Sequence, residues 1–175
     1  MKTQFITYCS ILLFSICFIS CSNDDNNLDQ EGPELSAKGD AIMFSYQDQS
    51  FRDSLNLQLI FPAQDTITSK SNRWVYLGFY NESEKNEWYS IPGVRQEKNY
   101  KIYNEHEKDS SNPELVKFKI ITEQAKSSES YGNTLNYKEL KIIAIKPEAI
   151  RNLTPADLDF KDFFAVMDYF GLNKE

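Results

Sequence analysis

The chain has 175 residues, 19 basic against 26 acidic side chains, a net charge of -7, three cysteines and one histidine. An acidic balance without clustered Lys and Arg argues against a nucleic-acid partner, because phosphate binding is built on such clusters. Cys9, Cys17 and Cys21 all lie near the N-terminus, so the body of the chain holds neither a disulfide nor a thiolate metal site.

Met1 to Ser20 has a basic start at Lys2 and an apolar run from about Phe5 to Ile19. Some 15 residues of helix fall short of the roughly 20 needed to span a bilayer core, so residues 1–20 read as an export signal. Phe18-Ile19-Ser20-Cys21 closes it, with a small residue before the cysteine and polar residues after it. This run resembles a bacterial lipobox, with Phe18 where Leu is commonest. The resemblance implies that Cys21 is acylated and becomes the first residue of the mature chain. The alternatives are an N-terminal membrane helix, or an ordinary signal cleaved after Ser20 or Ser22 without lipid. Ser22-Asn23-Asp24-Asp25-Asn26-Asn27 is in turn similar to the acidic stretch that follows the lipidated cysteine in surface-exposed lipoproteins of the Bacteroidota. That likeness covers about 27 residues and implies an outer-membrane, outward-facing location, with a periplasm-facing one as the alternative.

Residues 21–38 are rich in Asp, Asn and Glu and bury too little apolar surface to offset the entropy of ordering them. They are expected to form a flexible tether spanning roughly 20 to 25 Å. Residues 39–175 are long enough for one domain standing on its own core.

From Asp40 the hydrophobic period is mostly 2. Ile42, Phe44 and Tyr46 alternate with Met43 and Ser45, and Leu55, Leu57, Leu59 and Phe61 alternate with Ser54, Asn56, Gln58 and Ile60 until Pro62. Arg73 to Tyr80 sets Val75, Leu77 and Phe79 against Trp74, Tyr76 and Tyr80, which predicts a central strand apolar on both sides. Further strands are predicted at Glu87–Ile91, Asn99–Asn104, Leu115–Glu123 and Leu135–Lys146, separated by turn-rich segments. Seven short strands at this spacing, with no repeat and no βαβ rhythm, predict a mainly β domain, an antiparallel β-sandwich or barrel-like fold.

The C-terminus changes period. Thr154-Pro155-Ala156-Asp157 carries start signals, a second start falls at Asp159 with Asp162 at its N3 position, and Phe160, Phe163, Phe164, Met167 and Phe170 follow at helical spacing before Gly171. A short helix over about 160–170 is expected to dock on the body. The stretch from Leu140 to Leu172 resembles the ends of small Bacteroidota lipoproteins of undefined function, which implies a fold ending and no role.

Chemistry is sparsely signalled. Glu105-His106-Glu107 offers one imidazole and two carboxylates, short of the three or four converging ligands of a zinc-like site, and reads as a solvated loop. Asp157, Asp159 and Asp162 lack EF-hand spacing and read as helix-start residues rather than calcium ligands. No phosphate loop, G-x-S-x-G, H-E-x-x-H or Cys-His pair appears, so no catalytic residue, metal or cofactor is expected. Trp74, Tyr76, Tyr80, Trp88 and Tyr89 are candidate ligand-binding aromatics if they form an exposed row; the alternative is that they fill the second face of a central strand. Asp53-Ser54-Leu55 and Asp65-Thr66-Ile67 resemble the Bacteroidota O-glycosylation pattern, which makes Ser54 and Thr66 candidate acceptors. The chain is thus expected to be a non-enzymatic lipoprotein held to membrane lipid through Cys21 and binding a glycan, a peptide or an envelope protein. A structural or assembly subunit of an outer-membrane complex is the alternative, and a carboxylate-dependent enzyme a third class.

Overall fold

Alternating side chains become strands here because each buries one face. A computed structural model describes residues 33–62, 74–83 and 85–172, and among them nine strands form two antiparallel sheets. The strands are β1 (Glu34–Lys38), β2 (Ala41–Arg52), β3 (Ser54–Ile60), β4 (Val75–Asn81), β5 (Tyr89–Ile91), β6 (Gly93–Arg95), β7 (Tyr100–Lys108), β8 (Leu115–Gln124) and β9 (Thr134–Ile145). The first sheet runs β1-β2-β9-β4-β5 and the second β3-β8-β7-β6, so the fold is a mainly β, sandwich-like domain rather than a closed barrel.

Between the sheets lie Phe44, Tyr46, Leu57, Leu59, Tyr80, Ile102, Val116, Phe118, Ile120, Leu140 and Ile142, all buried. A second core covers the outer face of the first sheet, where Ala41, Met43, Phe79, Ile143 and Ile145 meet Leu158, Phe163, Val166, Met167 and Leu172 from the C-terminal segment. The body is therefore three layers deep. Strand β9 is the middle of the first sheet because it is apolar on both faces; Leu140, Ile142, Ile143 and Ile145 are fully buried. Strand β4, expected to be central, lies between β9 and β5 and is apolar on both faces for the same reason.

Several elements depart from expectation, among them β6, which was not one of the seven expected strands. Glu34–Lys38, assigned to the tether, pairs with β2 from Glu34↔Ser45 to Lys38↔Ala41, so the ordered body starts before Gly39. Its place at the end of an acidic, polar stretch and its low hydrophobicity hide it, since an edge strand draws on backbone pairing more than on burial. Strand β2 continues beyond Tyr46 because Asp48 takes φ 49°, a left-handed conformation that switches the inward face. Ile42, Phe44 and Tyr46 before it and Phe51 after it thus reach one core. Finally, α2 (Phe163–Tyr169) is shorter than the helix expected over 160–170, and Asp162 stands at its N-cap rather than at N3, accepting from the N–H groups of Phe164 (2.9 Å) and Ala165 (3.1 Å). A four-residue turn of helix, α1 (Pro147–Ile150), leads out of β9.

Candidate functional site

The five candidate aromatics do not form an exposed row. Trp74 and Tyr80 are 5% and 1% exposed, and Tyr76 and Tyr89 pack half-buried against the core between the sheets. The alternation of β4 turns its even-numbered residues inward, where facing β7 and β8 side chains cover them. Trp88 is the exception. It lies on the opposite, outer side, with its ring stacked on Phe163 at 4.0 Å between centroids, and Lys141 Nζ is 5.0 Å from the Trp88 ring centre and 5.5 Å from that of Phe163.

Beside this stack an open cleft of about 510 Å³ runs along the outer face of the first sheet. Its floor is the polar continuation of β2 and β9, with Ser45, Gln47, Glu139 and Lys141, and Phe163, Met167 and Leu172 line its other side. The reason is local sequence. Ala41 and Met43 of β2 and Ile143 and Ile145 of β9 take the C-terminal layer, and the same face turns polar one step further along each strand. Lys141 and Glu139 pair across the floor at 3.2 Å. Such a surface offers hydrogen-bond donors, acceptors and an apolar wall to an extended ligand.

The densest polar constellation lies instead at one end of the inner core. Tyr80 and Tyr100 hydroxyls are 2.9 Å apart, and Tyr100 donates to Glu82 Oε1 at 3.0 Å. Having a single proton, the Tyr100 hydroxyl accepts from Tyr80. Glu82 also takes Lys98 Nζ, and Arg95 Nη1 lies 3.5 Å from its Oε2. The Arg95 guanidinium covers the Tyr89 ring at 3.6 Å, and Tyr137 stacks on Tyr80 at 4.2 Å with a buried hydroxyl near that of Tyr100 but without a well-formed hydrogen bond. Burial drives the Tyr80, Tyr100 and Tyr137 phenols well above the ordinary range, so they stay neutral donors. Glu82, Arg95 and Tyr137 are absent from the sequence-derived candidates; a Glu and an Arg separated by several turns carry no local signal of meeting. With its carboxylate already bound by two cations and a phenol, this group acts as a polar tie between sheets.

The other candidates resolve individually. His106 lies in β7 and not in a loop; it is exposed, with one face of its ring against Tyr76 at 4.5 Å, and this partial shielding from water lowers its pKa. Among the described residues no three His, Cys, Asp or Glu side chains gather as a metal site. Asp157 accepts from Thr154 N–H (2.8 Å) and Oγ1–H (2.7 Å), and Asp159 from Lys161 N–H (2.9 Å), so each closes its own turn. Ser54 is partly buried beside the β2–β3 corner, where Asp53 accepts from Gly132 N–H at 2.7 Å through its carboxylate and from Thr122 N–H at 2.8 Å through its carbonyl. Asp53 therefore has a structural occupation in that corner. Cys21 and Thr66 lie outside the described residues.

No protein-family model, curated protein or solved structure matches the chain. Class is defined by the fold alone, a two-sheet antiparallel sandwich with a helical layer on one face.

Proposed function

We propose that the protein is a lipid-anchored lipoprotein of the outer membrane, displayed at the cell surface, and that it works as a non-enzymatic binding module. The observation that carries this reading is Cys21, which stands at the end of an apolar export segment, is followed by an acidic stretch, and is the last cysteine in the chain. The cleft beside α2 supports the binding part. Its mixed floor of Ser45, Gln47, Glu139 and Lys141 against Phe163 and Met167 suits a glycan or an extended peptide segment of an envelope protein, which present polar edges and apolar faces together.

The test has two arms. Replacing Cys21 by Ala should release the protein from membranes and end fatty-acid labelling; continued labelling and retention would overturn the anchor. A glycan and peptide array probed with the full chain should retain a ligand that Gln47→Ala and Lys141→Ala weaken. A ligand indifferent to both would remove the cleft from the reading, and an empty array would remove the glycan and peptide classes.

One observation favours a second reading, assembly into a larger outer-membrane complex. Phe164 and Tyr169 of α2 are 47% and 50% exposed. Under that reading Phe164→Ser with Tyr169→Ser detaches the protein from co-purifying envelope components while leaving array binding intact.

A further inference from the structure

The four sheet edges are unequally guarded. Strands β5 and β6 are three residues each, and β1 has five residues with Glu34 and Lys38 at its ends. Short or charged edges of this kind resist pairing with other chains. Strand β3 has neither protection: it is seven residues long, Ser-Leu-Asn-Leu-Gln-Leu-Ile, without charge, proline or break in its register with β8.

Its hydrogen-bonding direction is determined. Phe61 N–H bonds to Glu114 C=O, and Asp53 C=O accepts from Thr122 N–H, both at 2.8 Å, so the odd-numbered residues face β8. In an antiparallel ladder the even-numbered residues then point the other way. Among the described residues no strand pairs with the N–H and C=O groups of Ser54, Asn56, Gln58 and Ile60, which form the outer edge, and the Tyr46 hydroxyl takes one lone pair of Gln58 C=O. Asn56, Gln58 and Ile60 are exposed, Ile60 at 50%.

We infer that this edge pairs with the β3 of a second copy of the chain, antiparallel about a two-fold axis at Leu57, to make one continuous sheet across a homodimer. Two observations select a second copy. With a net charge of -7, copies repel unless they meet at a neutral patch, and β3 is the long neutral edge among the described strands. The edge is also self-complementary. Pairing residue i with 114 - i engages all four outward residues of each strand, setting Asn56 against Gln58 and Ser54 against Ile60, while Leu57 meets Leu57 on the inner side. Moving the register by two residues leaves an outward residue of each strand unpaired. Isologous contacts of this kind close after two copies.

The arrangement is tested by sedimentation velocity on the full chain in mild detergent over a concentration series, with circular dichroism checking the fold of each variant. The native chain should show a reversible monomer–dimer equilibrium. Asn56→Asp with Gln58→Asp places carboxylates directly opposite each other twice, and should weaken the dimer by about tenfold or more. Asn56→Lys with Gln58→Asp places opposite charges at the same two contacts and should restore it. A native chain that is monomeric at every concentration overturns the inference. So does a dimer equally stable in both double variants. Both substituted positions, Asn56 and Gln58, lie on the exposed face, away from the core, and the outcome is independent of lipid attachment and of the cleft beside α2.

Discussion

Tyr80 on β4 donates its hydroxyl proton to the Tyr100 hydroxyl on β7 at 2.9 Å, and this one bond ties the two sheets through the buried core. Its effect depends on what stands behind it, since Tyr100 passes its own proton to Glu82 Oε1.

Removing the three phenolic hydroxyls one at a time therefore has unequal consequences. Tyr100→Phe strands the Tyr80 donor and deprives Glu82, and should cost about 1 to 3 kcal/mol. Tyr80→Phe removes a donor while Tyr100 keeps its bond to Glu82, and should cost about 1 kcal/mol. Tyr137→Phe deletes a buried hydroxyl that forms no well-aligned hydrogen bond and should change stability least of the three. Urea unfolding of the three variants measures this order.

The corner between β5 and β6 turns on Gly93. A methyl group at that position would lie 2.5 Å from Ser90 O, a backbone atom that cannot swing aside. Gly93→Ala should lower stability by about 1 to 3 kcal/mol, as overpacking does elsewhere. A thermal midpoint equal to that of the native protein would contradict this.

Docking of the C-terminal layer depends on Asp162, whose Oδ1 accepts two N–H groups at the start of α2. Asp162→Ala should cost about 0.5 to 2 kcal/mol, whereas Asp162→Asn should retain most of the cap. Hydrogen exchange of the Phe164 and Ala165 amides reads the loss at its source.

Acid should act in two windows. The His106 side chain is largely exposed, but the face of its ring that lies against Tyr76 is shielded from water, which lowers its pKa from 6.5. The unfolded chain therefore takes up that proton first as pH falls, and the effect is small. The contribution of neutral His106 is intact above about 6.5 and is lost as pH drops from there through the folded value. The Asp109 carboxylate, held well below its ordinary 3.8 by hydrogen bonds from Ser111 and Lys117, adds a loss in the same direction below that value. His106→Gln should flatten the upper window and leave the lower one unchanged in a pH series of urea midpoints.

Much of the fold was legible as periodicity. Leu55, Leu57 and Leu59 alternate with polar residues and bury one face in β3; Phe163 and Met167 fall one helical turn apart and bury together. Strand β1 and the second half of β2 were not legible. The first contributes pairing rather than buried apolar area, and the second reverses its inward face at Asp48, which breaks the alternation. The cleft was half legible. Trp88 was among the candidates, yet Gln47, Lys141 and Phe163 come from three elements that no spacing brings together.

By itself the chain determined its strand-rich class, the side chains that alternate inward, the helical ending at Phe163 and the confinement of every cysteine to its N-terminal segment, because burial period and composition are local properties. Tertiary structure decided that β9 rather than β4 is the middle strand, that Trp74 and Tyr80 are core, that Glu82 meets Arg95 and Tyr100, and that β3 is left as a neutral edge. Each of those depends on which strand lies beside which. Pairing partners are chosen by contacts between distant segments, and a hydrophobic period states only that a face must be covered, not what covers it.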